Sequence, residues 1–232
     1  MDITRRRKIA LILNILVIAF AVIGTVLMLF PHSENEEFLT HGFGNLKYFT
    51  VLSNECCGII AVVCLVCTLR GRRQPMLAKF LAAAAVGLTF LTIVAFLGPM
   101  YGFLRMFRGA NFFFHLILPL TAMAEFVVYV EGPADAADEN GEAAAAAFSE
   151  VPFRWTLYSM IPVAVYGSVY LGNCLINGVG QWPHSNDFYG FMNWGLPIGL
   201  VIFGVIMLAI WGIACSLRGL RNAFRPRRKI LT

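Results

Sequence analysis

Asn111-Phe-Phe-Phe-His115-Leu-Ile-Leu-Pro119-Leu-Thr-Ala-Met-Ala-Glu125 is an apolar stretch with one imidazole inside it. Of the four histidines, His115 alone falls in a long apolar run. An ionisable group at membrane depth is costly, and it usually faces protein or trapped water. Pro119 follows four residues later. It has no N–H, so the spacing predicts that the His115 carbonyl loses its helical partner. A titratable ring beside a freed carbonyl can begin a polar site.

The rest of the chain has the same apolar character. Of its 232 residues, 59% are hydrophobic and 13% are charged, and mean hydropathy is +0.72. Soluble domains carry about 25% charged residues. The composition therefore excludes a soluble globular domain and predicts a polytopic membrane protein of the plasma or cytoplasmic membrane. A span needs about 20 apolar residues. Six runs qualify: 9–30, 48–69, 76–104, 111–130, 154–177 and 191–217. The fold class read here is all-α, a six-helix transmembrane bundle forming one domain over residues 1–232. Gly98-Pro99 should break or kink the third span, and Pro162 and Pro197 should bend the fifth and sixth. Arg5-Arg6-Arg7-Lys8 precedes the first run, which is longer than a signal peptide's apolar core and lacks a convincing cleavage site. It reads as a retained span.

Lysine and arginine set the orientation. With the N-terminus inside, the inner side collects Arg5 to Lys8, Arg70, Arg72, Arg73, Lys79, Arg154 and six between Arg218 and Lys229, fifteen in all. Lys47, Arg105 and Arg108 make three outside. That bias predicts two cytoplasmic termini. A basic tail, 218–232, follows the last span. The Ala-rich acidic linker 132–150 is then cytoplasmic too, since acidic residues steer topology little. The net charge of +5 is explained by topology and anionic headgroups, so no nucleic-acid partner is expected. No obligate protein partner is evident either.

Six cysteines (56, 57, 64, 67, 174 and 215) lie in or at the ends of apolar runs and read as small hydrophobes. Cys64 and Cys67 form a lone CxxC without a second half-site. The first outer loop holds His32, Glu34, Glu36, Glu37 and His41, in a spacing that fits no ligand pattern. No metal is expected. No cofactor is expected either, since a membrane haem needs two facing axial ligands and the spans hold one histidine.

Polar residues gather at one depth. Thr50 and Asn54 are four apart near the outer start of the second span, with Ser53 and Cys57 beside them. His115 lies about 6 Å inside the fourth span, in the same layer. Tyr166, Tyr170, Asn173 and Asn177 form one helical stripe on the fifth span, with Asn173 at that depth. Glu55, just deeper than Asn54, is placed to pair with His115 or to stand uncharged. Glu125 is near the inner end of its span, within reach of the interface. Such residues also stitch membrane helices together, and tyrosines anchor at interfaces. As chemistry, a hydroxyl becomes a useful nucleophile when a base lies within hydrogen-bond reach. Thr50 with His115 fits that pattern, with Asn54, Asn173 or backbone N–H groups around a developing oxyanion. Such a site, a few ångströms below the headgroups, suits an amphiphilic ester whose acyl chains stay in lipid.

Lys47-Tyr48-Phe49-Thr50-Val51-Leu52 resembles the lysine–aromatic–apolar–threonine segment of the androgen-induced-gene-1 and androgen-dependent TFPI-regulating proteins. Asn111, His115 and Glu125 keep the spacing of that family's histidine segment. Gly180-Gln181-Trp182-Pro183 with Phe188 is similar to its late outer loop. In this chain the proline after the histidine comes one position early, and the neighbours of Thr50 are alike only in chemistry. The likeness is greatest to bacterial relatives of the Pr6Pr kind. The resemblance implies a multi-span hydrolase of fatty acid esters of hydroxy fatty acids, with Thr50 as nucleophile and His115 as base. Beside that pair, Asn54, Asn173, Asn111, Tyr170 and Glu55 are read as substrate or oxyanion contacts. The alternative reading is a non-catalytic lipid-binding or transport protein. In a transporter the polar residues should continue toward the inner side.

Overall fold

The computed structural model describes residues 3–30, 42–130, 150–181 and 185–224. Six helices are long and apolar enough to cross a membrane: α1 Thr4–Leu29, α2 Phe49–Leu69, α3 Met76–Tyr101, α4 Ala110–Val128, α5 Phe153–Asn177 and α6 Leu196–Ala223. No strand occurs among the described residues. The chain is an all-α, multi-pass membrane protein. The acidic histidine loop, nearly all of the acidic linker, Trp182, Pro183 and the end of the basic tail lie outside the described residues. We label the end of the bundle that carries the α5–α6 loop the outer end, as the charge bias predicts, and the opposite end the inner one.

Helices α1, α2, α3 and α4 form a closed ring, in which each packs on its two neighbours. α6 lies against α3 and α4, and α5 lies against α6 and α3. α3 is the most buried helix. Its Ala82 to Leu88 stretch is buried throughout, and small side chains there let neighbouring backbones come close. α5 meets α6 at Gly167, where a Cβ would fall 2.0 Å from the Phe203 ring. The opposite faces, with Ile12, Val22, Ile59, Val169, Val201 and Leu208, are exposed and apolar, as a lipid-facing surface requires.

Arginines cap the inner helix ends. The last carbonyls of a helix have no partner within it. Fully buried Arg221 of α6 donates to Phe126 O (2.6 Å) and Tyr129 O (3.0 Å) at the end of α4. Arg6 of α1 donates to Phe224 O just beyond α6 (2.7 Å).

The prolines act in three ways. In α3 the helix passes through a π turn at Ile93–Leu97, then Gly98 and Pro99, and ends at Gly102 with φ +90°. α4 repeats the pattern: a π turn at Phe113–Ile117, then Leu118 and Pro119. α5 is interrupted at Ser159, shortly before Pro162. Pro197 does not bend its helix. It sits in the first turn of α6, after Gly195 at φ +84°, where no N–H is needed. The sixth span therefore starts at Leu196, with turns over Phe191 to Trp194. At its other end it runs past 217 to Ala223.

Candidate functional site

The outer polar layer is built on the π turn of α4. There the Leu118 N–H bonds to Phe113 O, five residues back. Phe114 O thus loses Leu118 to its neighbour, and the next residue, Pro119, has no N–H to offer. The freed carbonyl is that of Phe114, one residue before the His115 carbonyl expected from a regular helix. Two other helices supply its partners. Asn54 of α2, fully buried, donates one amide hydrogen to Phe114 O (2.9 Å) and the other to Thr50 O (2.7 Å). Thr89 Oγ1 of α3, which donates to Val86 O at 2.7 Å, stands 3.3 Å from Phe114 O. The Phe114 ring is buried against α1 at Gly24, where a Cβ would lie 2.5 Å from it.

Asn54 therefore links the backbone at Thr50 to the backbone beside His115. Three polar atoms at this level have no hydrogen-bond partner among the described residues. The amide of Asn54 must turn its nitrogen to the two carbonyls, which leaves Oδ1 buried and unpaired. Half-buried His115 lies against the Thr89 backbone, with Nδ1 buried and unpaired. Thr50 is the third. Thr25, Thr68, Thr92 and Thr121 each bond their hydroxyl to the carbonyl four residues back in their own helix. Thr50 sits in the first turn of α2, and the carbonyl three residues back, Lys47 O, is taken by Tyr166 OH (2.6 Å). Its Oγ1 makes no bond among the described residues. The backbone N–H groups of Thr50 and Val51 belong to the same first turn and have no acceptor within the helix.

The other sequence candidates fall around this core. Glu55 turns to α1, where its carboxyl group meets the Thr25 hydroxyl, and does not meet His115 in this arrangement. Asn111 is half-buried in the first turn of α4, with its N–H on Arg108 O (3.1 Å). Tyr170 and Asn173 belong to the loop that covers the outer end. Tyr170 donates to buried Asp187, whose other oxygen accepts the Met192 N–H (2.9 Å). Asn173 donates to Asn186 (3.1 Å) and accepts from Asn177 (2.7 Å). Phe188, Tyr189 and Phe191 pack edge-on, tilted or stacked among Tyr48, Tyr166 and Tyr170. Tyr189 OH accepts the Phe49 N–H (2.8 Å), which ties this loop to the residue before Thr50. Burial pushes the Tyr189 phenol up to about 12, opposed in part by its contacts to Tyr166 and Phe49.

A second polar layer, toward the inner end, escaped the sequence reading. Glu125 does not reach the interface. It is buried and salt-bridged to buried Lys79 of α3. Lys79 also donates to Gln74 Oε1 (2.6 Å) and stands 3.9 Å over the Tyr129 ring. Beside the pair is a cavity of about 20 Å³, lined by Asn14, Cys57, Cys64, Lys79 and Glu125 among others. The signal was present in the sequence: a base three residues into α3 and an acid three residues before the end of α4 share one depth. Among the described residues no cluster of three or more histidine, cysteine or acidic side chains has metal-binding geometry. Comparison with protein-family models, curated proteins and solved structures finds no match.

Proposed function

We propose that the protein is an integral membrane lipid-ester hydrolase of the plasma or cytoplasmic membrane, with Thr50 as nucleophile and His115 as base. The observation that carries this reading is a pair of buried, unpartnered polar atoms, Asn54 Oδ1 and His115 Nδ1, on the hydrogen-bonded framework that also holds the backbone of half-buried Thr50. Buried polar groups are normally paired, so such a group calls for a ligand, a water or a reaction. In the proposed step His115 takes the Thr50 proton as Oγ1 attacks the ester carbonyl. The N–H groups of Thr50 and Val51 are placed at a helix N-terminus, where developing negative charge is stabilised. Both hydrogens of the Asn54 amide are already engaged, which leaves Asn54 an acceptor and a positioning residue. The substrate class, fatty acid esters of hydroxy fatty acids or similar amphiphilic esters, rests on the family resemblance.

Solubilised protein assayed on a panel of lipid esters, including branched hydroxy-fatty-acid esters, tests this. Thr50→Ala and His115→Ala should each abolish turnover with an unchanged size-exclusion profile. The double variant should lose no more than either single one, because nucleophile and base act in one step. Full activity in folded single variants would refute the mechanism. A second reading, a lipid-binding or transport protein, is favoured by one observation, a second and separate polar layer further inward at Lys79 and Glu125. Wild type inert on every ester, yet retaining lipid through purification, would select it.

A further inference from the structure

We propose that the Lys79–Glu125 pair is a proton-binding site, reached from the face of the bundle that carries the α2–α3 turn. A buried ion pair alone is weak evidence of anything beyond packing. Here two further features point to exchange with solvent. The first is a run of side-chain hydrogen bonds that leads outward. Glu125 accepts from Lys79, Lys79 donates to Gln74 Oε1 (2.6 Å), and Gln74 Nε2 donates to Thr68 Oγ1 (2.8 Å). Thr68 is exposed, beside exposed Arg70, Arg72 and Arg73. The run joins a buried carboxylate to the surface with no gap.

The second feature is the cavity beside the pair. At about 20 Å³ it exceeds the roughly 10–15 Å³ that a water needs, and Asn14, Lys79 and Glu125 offer the polar contacts a buried water requires. On the outer side Val17, Val86, Leu118 and Ala122 form an apolar layer between the pair and the Asn54 level. The site is therefore connected to one face and bordered by apolar side chains toward the other.

The groups that face the pair come from five helices. They are Asn14 of α1, the Cys57 and Cys64 thiols of α2, Lys79 itself with the Gln74 amide preceding α3, Glu125 and the Tyr129 ring following α4, and Arg221 of α6. Arg221 is held by the Phe126 and Tyr129 carbonyls. In the step proposed, a hydronium at the α2–α3 face gives up its proton and leaves as water. The Glu125 carboxylate becomes a carboxylic acid, and its bond to the Lys79 ammonium loses one charge.

The site does not depend on Thr50 or His115, and its test does not use turnover. Infrared difference spectra of the full chain in lipid vesicles, stepped in pH, report the carbonyl band of a protonated carboxyl group. A band that grows on acidification and vanishes in Glu125→Gln is the expected result. In Gln74→Leu its exchange with deuterated buffer should slow about tenfold, as an added barrier of ~1.4 kcal/mol would give. Should Glu125→Gln not fold, Lys79→Gln decides: removal of the cation should move the band to higher pH. No Glu125-dependent band at any pH where the protein stays folded, or a band unmoved in Lys79→Gln, would make the pair a fixed clamp. Unchanged exchange in Gln74→Leu would overturn the proposed access.

Discussion

Between α3 and α4 the bundle carries polar side chains at two levels, around Asn54 and His115 at the outer end and around Lys79 and Glu125 at the inner end. At the outer level the polarity comes from the backbone. A proline and a π turn expose one carbonyl, Asn54 and Thr89 close on it, and side-chain atoms beside them stay unpaired. At the inner level it comes from charge. Lys79 meets Glu125, Gln74 and the Tyr129 ring, and Arg221 meets two helix-end carbonyls. The Lys79–Glu125 pair answers its own charge, whereas the Asn54 and His115 side chains each leave a buried atom unmet. That difference favours a substrate site at the outer level and leaves the inner one a site for nothing larger than a water and a proton.

If the inner level is a self-satisfied pair, breaking it should cost most of all. Lys79→Met should destabilise by about 3–5 kcal/mol, because it strands a buried carboxylate. The double change Lys79→Met/Glu125→Met should recover most of that loss, since two apolar side chains of similar volume replace the pair. Thermal or denaturant unfolding of both variants measures this. A double variant as weak as the single one would show that the pair does more than balance charge.

Asn54 offers a smaller effect of a different kind. Asn54→Ala should cost about 1–3 kcal/mol, because the Phe114 carbonyl loses its shortest partner. In a Pro119→Ala background that cost should shrink. Residue 119 then has an N–H five residues beyond Phe114, in the register the π turn already holds. A double-mutant cycle reads the coupling, and additive costs would detach Asn54 from the proline defect.

The smallest effect concerns the loop over the outer layer. Tyr189→Phe should cost about 1 kcal/mol, the value of one net hydrogen bond, through the Phe49 N–H it leaves unpaired. The sign of the pH effect follows from a phenol raised from 10.0 to about 12 in the folded protein. The unfolded chain releases this proton first. Tyr189 thus adds stability below pH 10 that is lost as pH rises toward 12. Alkaline titration of wild type should show the outer loop loosening across that window, and Tyr189→Phe should lack this component.

Much of the fold could be read from the sequence because spans depend on length and apolarity alone. Four of the six begin and end within three residues of their apolar runs, α1 starts five residues early among its basic residues, and α6 is the exception at both ends. The exception teaches most. Gly195-Leu196-Pro197 is a helix start, yet inside a long apolar run it reads as a bend, because hydropathy does not register backbone φ. The defect near Pro119 was legible, but not which carbonyl it frees. A π turn moves every bond by one residue, and nothing in the local sequence distinguishes it from a regular turn. Depth was legible too, since rise per residue places Thr50, Asn54 and His115 in one layer. Azimuth was not: Asn173 shares the depth but points to Asn186 in the loop. Lys79 and Glu125 went unpaired because each lies near a helix end, where a long charged side chain usually reaches water.

Covalent labelling bears most directly on the outer site. A fluorophosphonate probe should label the purified wild-type protein on Thr50, because that hydroxyl lacks a helical acceptor and gives its proton to the His115 imidazole in the proposed reaction. Labelling should be lost in Thr50→Ala, fall steeply in His115→Ala, and persist in part in Thr50→Ser, which keeps the hydroxyl. Glu125→Gln, a change in the inner layer, should label as wild type does if it folds. Equal labelling of wild type and well-folded Thr50→Ala would contradict a nucleophile at this position.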